Sequence, residues 1–214
     1  MAVVGIIPAA GSGERLGASG PKAFAMCGGR SLIDWSLDVL EAVCDRVVVA
    51  VPAGFEDESS GRVLGGASRS ESVRLALAAA PEASVAVVHD AARPLITGEL
   101  VQRCIAALSD GWDGVVAAAR VADTIKEAEP SGRVVRTLDR SALWAIQTPQ
   151  VFRADVLRRA LDVDAAVLAS ATDDASLVEA AGGSVRVVEA PAENIKVTRP
   201  VDLALAEALL RARC

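Results

Sequence analysis

Two cations, Arg15 and Lys22, sit in one glycine-rich stretch, Pro8-Ala9-Ala10-Gly11-Ser12-Gly13-Glu14-Arg15-Leu16-Gly17-Ala18-Ser19-Gly20-Pro21-Lys22. Glycines let backbone N–H groups approach and wrap an anion. A lone Gly-x-Gly would read as a surface turn, but two fixed cations on the same loop suit a polyphosphate better than a turn requires. Two familiar glycine loops do not fit. A Walker A loop needs Gly-Lys-Ser/Thr opening a helix, whereas Lys22 follows Pro21 and precedes Ala23. A dinucleotide fingerprint needs glycine at Leu16 and a helix directly after it; residues 12–22 instead lack helical apolar periodicity and hold Gly17, Gly20 and Pro21.

A second group of chemically able residues is His89-Asp90-Ala91-Ala92-Arg93-Pro94, just past the apolar run Val85–Val88. Open α/β sheets place active-site groups at such strand ends. Asp90 suits a ribose hydroxyl or a share in a metal, while His89, the one histidine, reads as structural and hydrogen-bonded. Gly65-Gly66-Ala67-Ser68-Arg69-Ser70-Glu71-Ser72-Val73 puts a Gly-Gly turn and hydroxyls at a helix start, which can serve a base or a phosphate. An ordinary loop with an N-cap explains it equally well. Nineteen of the 22 basic residues are Arg; the three lysines, Lys22, Lys126 and Lys196, lie in short polar motifs rather than on helix faces. In a chain so biased to Arg, a lysine marks a place for a compact point charge, unless it survives on the surface by chance.

These groups need a scaffold. Val3-Val4-Gly5-Ile6-Ile7, Arg46–Val51, Val85–Val88 and Gly114–Ala119 read as buried strands, short, apolar and ended by breakers or polar residues. Between them, Ser31 caps a helix to Val43 with Trp35 in the core, an Ala/Leu helix runs towards Pro81, and Thr97 caps a helix to about Leu108. The alternation predicts a three-layer α/β fold on a mainly parallel sheet. From Arg120 to Arg140 two half-polar extended runs flank Glu129-Pro130-Ser131-Gly132, a β-hairpin too poor in large apolar residues to bury itself. Such an arm should pack on a partner subunit or fold back on its own domain. Beyond it come a short strand Trp144–Gln150, a helix Arg153–Leu161, a capped helix start at Thr172-Asp173-Asp174-Ala175-Ser176, a last short strand Asn194–Thr198, and a helix from Asp202 to about Arg211.

Composition narrows the class. With 214 residues, 52% of them hydrophobic, the chain reads as one domain, 1–214, carrying an arm at about 120–140. No apolar stretch approaches the ~18 residues of a membrane span, and no basic segment precedes a signal-like run. A net charge of −6, no basic runs and six aromatics argue against a nucleic-acid surface. Four scattered cysteines suggest neither disulfides nor zinc, so the cytoplasm is the default. No acid ends Arg46–Val51 and there is no tyrosine, which weakens any dehydrogenase reading.

Taken in order, the loop to Lys22, Gly65–Val73, His89–Pro94, Asp123–Lys126, Leu138–Arg140, Thr148–Gln150, Thr172–Ser176 and Asn194–Pro200 resemble the 2-C-methyl-D-erythritol 4-phosphate cytidylyltransferases of the non-mevalonate isoprenoid pathway. Ribitol-5-phosphate cytidylyltransferases share several motifs, but the T-D-D-A-S and N-I-K-V-T-R-P forms look closer to the methylerythritol enzymes. Leu16 stands where many relatives carry Met, and Ala67 where some carry an acid. The resemblance implies a nucleotide-sugar-transferase-like, Rossmann-like fold whose protruding β-arm makes a homodimer. It also implies CTP and methylerythritol phosphate as substrates, with Mg²⁺. By the same resemblance, Arg15 and Lys22 stabilise the transition state, and Arg140 and Lys196 join them as catalytic residues. Pro8, Ala9, Ala10, Gly11, Ser12, Gly13, Gly66, Ser72 and Asp90 would hold CTP, with Asp90 the candidate metal ligand. Arg93, Asp123, Thr124, Thr148 and Thr172 would hold methylerythritol phosphate, Thr124 and Arg140 reaching it from the neighbouring subunit. Another polyol-phosphate cytidylyltransferase, or a non-catalytic nucleotide-binding regulator, are the alternatives. A phosphate monoester is already a nucleophile near neutral pH, so the lack of an evident Ser-His-Asp or Cys-His triad is no obstacle.

Overall fold

The computed structural model describes residues 1–11 and 20–213, and the structural statements below concern those residues. The chain opens with β1 (Val3–Pro8), apolar and β-branched, buried at its four central residues. A small hairpin of β2 (Met26–Cys27) and β3 (Arg30–Ser31) leads into α1 (Leu32–Val43). Ser31 caps α1 reciprocally: its hydroxyl accepts from the Asp34 N–H, and the Asp34 carboxylate accepts from the Ser31 N–H. There follow β4 (Arg46–Val51), β5 (Arg62–Leu64), α2 (Arg69–Ala78) capped by Ser68, β6 (Val85–Val88) and α3 (Gly98–Leu108) capped by Thr97. The second half holds β7 (Gly114–Arg120), β8 (Lys126–Ala128), β9 (Val134–Thr137) and β10 (Trp144–Arg153). It ends with α4 (Ala154–Leu161), α5 (Ala165–Ser170), α6 (Asp174–Ala180), β11 (Val185–Glu189) and α7 (Pro200–Arg213).

Seven strands form one sheet in the order β11-β7-β10-β6-β1-β4-β5. Every pairing is parallel except those of β10, which runs antiparallel to both β6 and β7. Alternation along each strand fills two cores. Val4, Ile6, Val48 and Val88 point to one face, covered by α2, α4, α5 and α6; Ile7, Val49, Val51 and Val87 point to the other, covered by α1 and α3. The expected three-layer, mainly parallel fold is therefore present. Its carboxyl edge is where β1, β4 and β6 release their loops, and the antiparallel β10 brings Gln147 and Thr148 to that edge from the opposite direction.

Two expectations need correcting. Asn194–Thr198 is not a strand: it is tied to the loop after β6 by the Val197 N–H to the Ala92 carbonyl (2.7 Å) and by Arg93 side-chain contacts, and makes no ladder. The last strand is β11, and it completes the sheet edge beside β7. The short strand expected at Trp144–Gln150 continues to Arg153; its register shifts between Ile146 and Gln150, around Pro149, which has no N–H to give the ladder. The arm is present as β8–β9, a two-stranded sheet of its own with exposed residues throughout, including Val134 at 53% and Val135 at 55% exposure. Its base is the outward run of β7 and β10, where the Arg120 guanidinium lies 3.9 Å from the Trp144 ring centre.

Candidate active site

The carboxyl edge surrounds a cavity of about 260 Å³. Of the expected residues, Pro8, Ala9, Ala10, Gly11, Lys22, Gly66, Ser72, Asp90 and Lys196 line it. Ser12, Gly13 and Arg15 lie outside the described residues. Gly65 lets the two walls close on each other: a Cβ there would stand 2.4 Å from the Ala10 Cβ. Its N–H donates to the Val51 carbonyl (2.8 Å). Gly66 N–H donates to the Ser72 hydroxyl oxygen (3.1 Å), and that hydroxyl donates to the Ser68 carbonyl (2.9 Å). Ala67 N–H donates to the Glu71 carboxylate at 2.8 Å. The wall opposite the glycine-rich loop is thus a backbone turn held from behind by the first turn of α2, and it needs no acid at position 67 to keep its shape.

Asp90 is the hub. Its Oδ1 accepts from Arg69 Nε (3.0 Å) and its Oδ2 from Lys196 Nζ (2.6 Å). Burial opposes its ionisation, but the Arg69 and Lys196 cations override that and hold its carboxyl well below the usual carboxylate range. Behind it runs a relay in which each donor has one acceptor. The Asp90 N–H donates to Thr148 Oγ1 (3.0 Å), the Thr148 hydroxyl donates to His89 Nδ1 (3.1 Å), and His89 Nε2–H donates to the Arg93 carbonyl (3.3 Å). Full burial pushes the His89 imidazole down to about 4, against the pull of the Asp90 charge, so it is neutral at physiological pH. The structural role expected of His89 follows directly.

The remaining expected residues divide in two. Arg93 and Thr148 are buried beside the hub rather than open to the cavity. Arg93 Nη1 donates to the Asn194 carbonyl (2.7 Å), and Asn194 Nδ2 donates to Gln147 Oε1 (2.8 Å) and the Thr148 carbonyl (2.9 Å). Thr172 is exposed and lines a separate cavity of about 440 Å³ with Asp173, Ser176 and Ile146. Asp123, Thr124 and Arg140 are exposed on or next to the arm, and none lines either cavity. Arg140 Nη1 donates to the Ala122 carbonyl, closing the arm's base.

Several residues escaped the sequence reading. Arg69 links Asp90 to Asp174. Gln150 Nε2 donates to Asp173 (2.8 Å) while its Oε1 accepts from the Ala175 N–H (3.3 Å), fixing the start of α6 against β10. Of the two acids in the expected capped helix start, Asp173 is the N-cap, accepting from the Ser176 N–H, whereas Asp174 is completely buried in an ion pair. The available signal was an Arg three residues after the Gly-Gly pair, directly following the Ser68 cap, and a second acid where one suffices for a cap.

As a metal ligand, Asp90 offers one carboxylate whose oxygens already receive two cations, and the described residues contain no group of three ligating side chains. That donor set fits a divalent cation carried by substrate phosphates, with at most one protein carboxylate, rather than a protein cage.

The likeness to known proteins extends along the whole molecule. The family model for 2-C-methyl-D-erythritol 4-phosphate cytidylyltransferase (IspD) matches residues 3–212. The chain is 46% identical to the 2-C-methyl-D-erythritol 4-phosphate cytidylyltransferase of Frankia casuarinae, over 99% of this chain and 82% of that one. It is 45% identical to that of Nocardia farcinica, over 99% and 95%. On the crystal structure of the Thermus thermophilus cytidylyltransferase the TM-score is 0.83 at 38% identity, covering 99% of this chain and 100% of that one. Matched by this family model over residues 3–212 and by relatives over nearly its whole length, the chain belongs to the 2-C-methyl-D-erythritol 4-phosphate cytidylyltransferase family.

Proposed function

We propose that this chain transfers CMP from CTP to 2-C-methyl-D-erythritol 4-phosphate, giving 4-diphosphocytidyl-2-C-methyl-D-erythritol and pyrophosphate. The observation that carries the reading is the meeting, in one cavity, of Pro8–Gly11 and Lys22, the Gly66–Ser72 wall, and the Asp90–Lys196 pair. An oxygen of the acceptor phosphate forms a bond to the α-phosphorus of CTP. The bond from that phosphorus to the bridging oxygen breaks, and pyrophosphate leaves with the electron pair. No proton must be removed from the nucleophile. The site has only to align two polyanions and screen the charge between them.

Arg15 and Lys22 are assigned to the α-phosphate and leaving group, and Pro8 to Gly13 to the triphosphate. Gly66 and Ser72 are assigned to the cytosine and Asp90 to the ribose. Lys196 and Arg140 would position the acceptor phosphate, with Arg93, Asp123, Thr124, Thr148 and Thr172 completing its surroundings. Mg²⁺ bound to the CTP phosphates, with Asp90 the candidate protein ligand, would supply further charge neutralisation. Because Arg140 and Thr124 stay clear of both cavities and the arm is exposed, a homodimer in which each arm reaches the neighbour's site is part of the proposal. One domain spanning 1–214 is likewise proposed, resting on a single sheet built from residues 3–189. A cytoplasmic setting fits a CTP-using chain in which Cys27, Cys44 and Cys104 are unpaired thiols and no helix among the described residues is long and apolar enough to cross a membrane.

Pyrophosphate release with CTP, methylerythritol phosphate and Mg²⁺ tests the reading. Turnover that is lost in Lys22→Ala supports it. Turnover only with ribitol 5-phosphate would move the substrate, and unchanged function in Lys22→Ala would favour a regulator.

A further inference from the structure

Arg69 joins three stretches that are far apart in sequence. Its Nε donates to Asp90 Oδ1 (3.0 Å) and its Nη1 to Asp174 Oδ2 (2.6 Å). It stands in the first turn of α2, directly behind the Gly66–Ala67 wall, and its side chain lines the nucleotide cavity. Asp174 opens α6, two residues after Thr172, and is wholly shielded from water. Its Oδ1 has no hydrogen-bond partner among the described residues. A carboxylate so placed depends on its one cation, because water cannot substitute. Arg69 is therefore pinned from the α6 side, and its planar fork then sets the plane of Asp90, which receives Lys196 on its other oxygen. A lysine at position 69, a point charge on a flexible stem, has no geometry that would hold both carboxylates in this way.

We propose that Arg69 is a positioning residue for cytidylyl transfer, coupling the nucleotide cavity to the acceptor segment at the start of α6 through Asp90 and Asp174. The inference rests on the function proposed above. Asp174 does not line the cavity, and Asp174→Asn leaves the Arg69–Asp90 bond in place, so it should weigh on the acceptor far more than on CTP. Disturbing Arg69 should reach both substrates and free Asp90.

The test is steady-state kinetics for Asp174→Asn, Arg69→Lys and the double variant Arg69→Gln with Asp174→Asn. The double variant removes both charges together, so no carboxylate is stranded in the core; circular dichroism and thermal melts establish folding first. Asp174→Asn should raise KM for methylerythritol phosphate by about fivefold or more while KM for CTP stays within about twofold. The double variant should lose about a hundredfold in kcat/KM. Arg69→Lys should fail to restore the acceptor KM. Variants with lowered kcat but unchanged KM values would mean a merely structural role and overturn the proposal. An inactive unaltered chain would overturn the proposed function, and this coupling with it.

Discussion

Asp90→Asn isolates the charge on which the site is built. The carboxylate side chain is 11% exposed and accepts one bond from Arg69, itself 28% exposed, and one from Lys196, which is 42% exposed. The Lys196 pair is largely screened by water and counts for about 0–1 kcal/mol. The Arg69 bond, charge-assisted and mostly out of solvent, counts for about 1.5–3 kcal/mol. An asparagine keeps one acceptor oxygen but turns its NH₂ towards a cation, so little of this survives. A total loss of about 3 kcal/mol lowers the melting temperature of a chain this size by roughly 6–12 °C. The pH dependence has a definite sign. Asp90 is held well below its ordinary range in the folded state. Its contribution is therefore complete above the unfolded value of about 3.9 and is lost as pH falls below it towards the folded pKa. Thermal melts of the two proteins at pH 7, 5, 4 and 3.5 should show a constant gap down to about pH 5 and a narrowing gap below about pH 4. A gap under about 2 °C at pH 7, or one that widens on acidification, would refute the reasoning.

His89 is the one histidine in the chain, so its ring nitrogens give a single pair of resonances; these should report a neutral Nε2–H imidazole through pH 5–8, and a midpoint near the free value of about 6.5 would contradict the relay. Gly65→Val should weaken CTP binding by roughly tenfold or more, the overpacking of a wall that already stands 2.4 Å from a Cβ, and calorimetry showing unchanged affinity would contradict it. The same titration should find Gly11→Ala milder, because a Cβ there meets nothing within 4 Å among the described residues. Mixing Lys22→Ala with Arg140→Ala chains should restore part of the activity that each lacks alone; no recovery after confirmed subunit exchange would count against a site shared through the arm.

Much of the fold was legible because local signals agreed with it. Ser31, Ser68, Thr97 and Asp173 all cap the helices that their types announce, and the β-branched runs at 3–8, 46–51 and 85–88 are buried strands. The half-polar hairpin was equally plain from its turn. What failed was long-range. Val185–Glu189 carries three valines, but two of its five residues are exposed and none is fully buried, and its partner β7 lies about seventy residues earlier. Asn194–Thr198 has strand-like composition but is captured by side-chain hydrogen bonds instead of a ladder. In the site, lysine scarcity singled out Lys22, Lys126 and Lys196, of which Lys22 and Lys196 line one cavity and Lys126 lies on the exposed arm; Asp90 lines the same cavity from its strand end. Arg69 and Asp174 were hidden because their significance is pairwise: each is an ordinary helix-start residue until the fold brings positions 69, 90 and 174 together.

The proposed function requires one cavity to join a CTP α-phosphate to an acceptor phosphate with loss of pyrophosphate. Phosphorus NMR of the purified chain with CTP, Mg²⁺ and methylerythritol phosphate tests it most directly. The expected result is equal growth of a pyrophosphate signal and of two mutually coupled diphosphate-ester signals, with matching loss of CTP and the monoester. Release of CMP or CDP without a new phosphorus–phosphorus coupling, or no consumption of the acceptor, would contradict it.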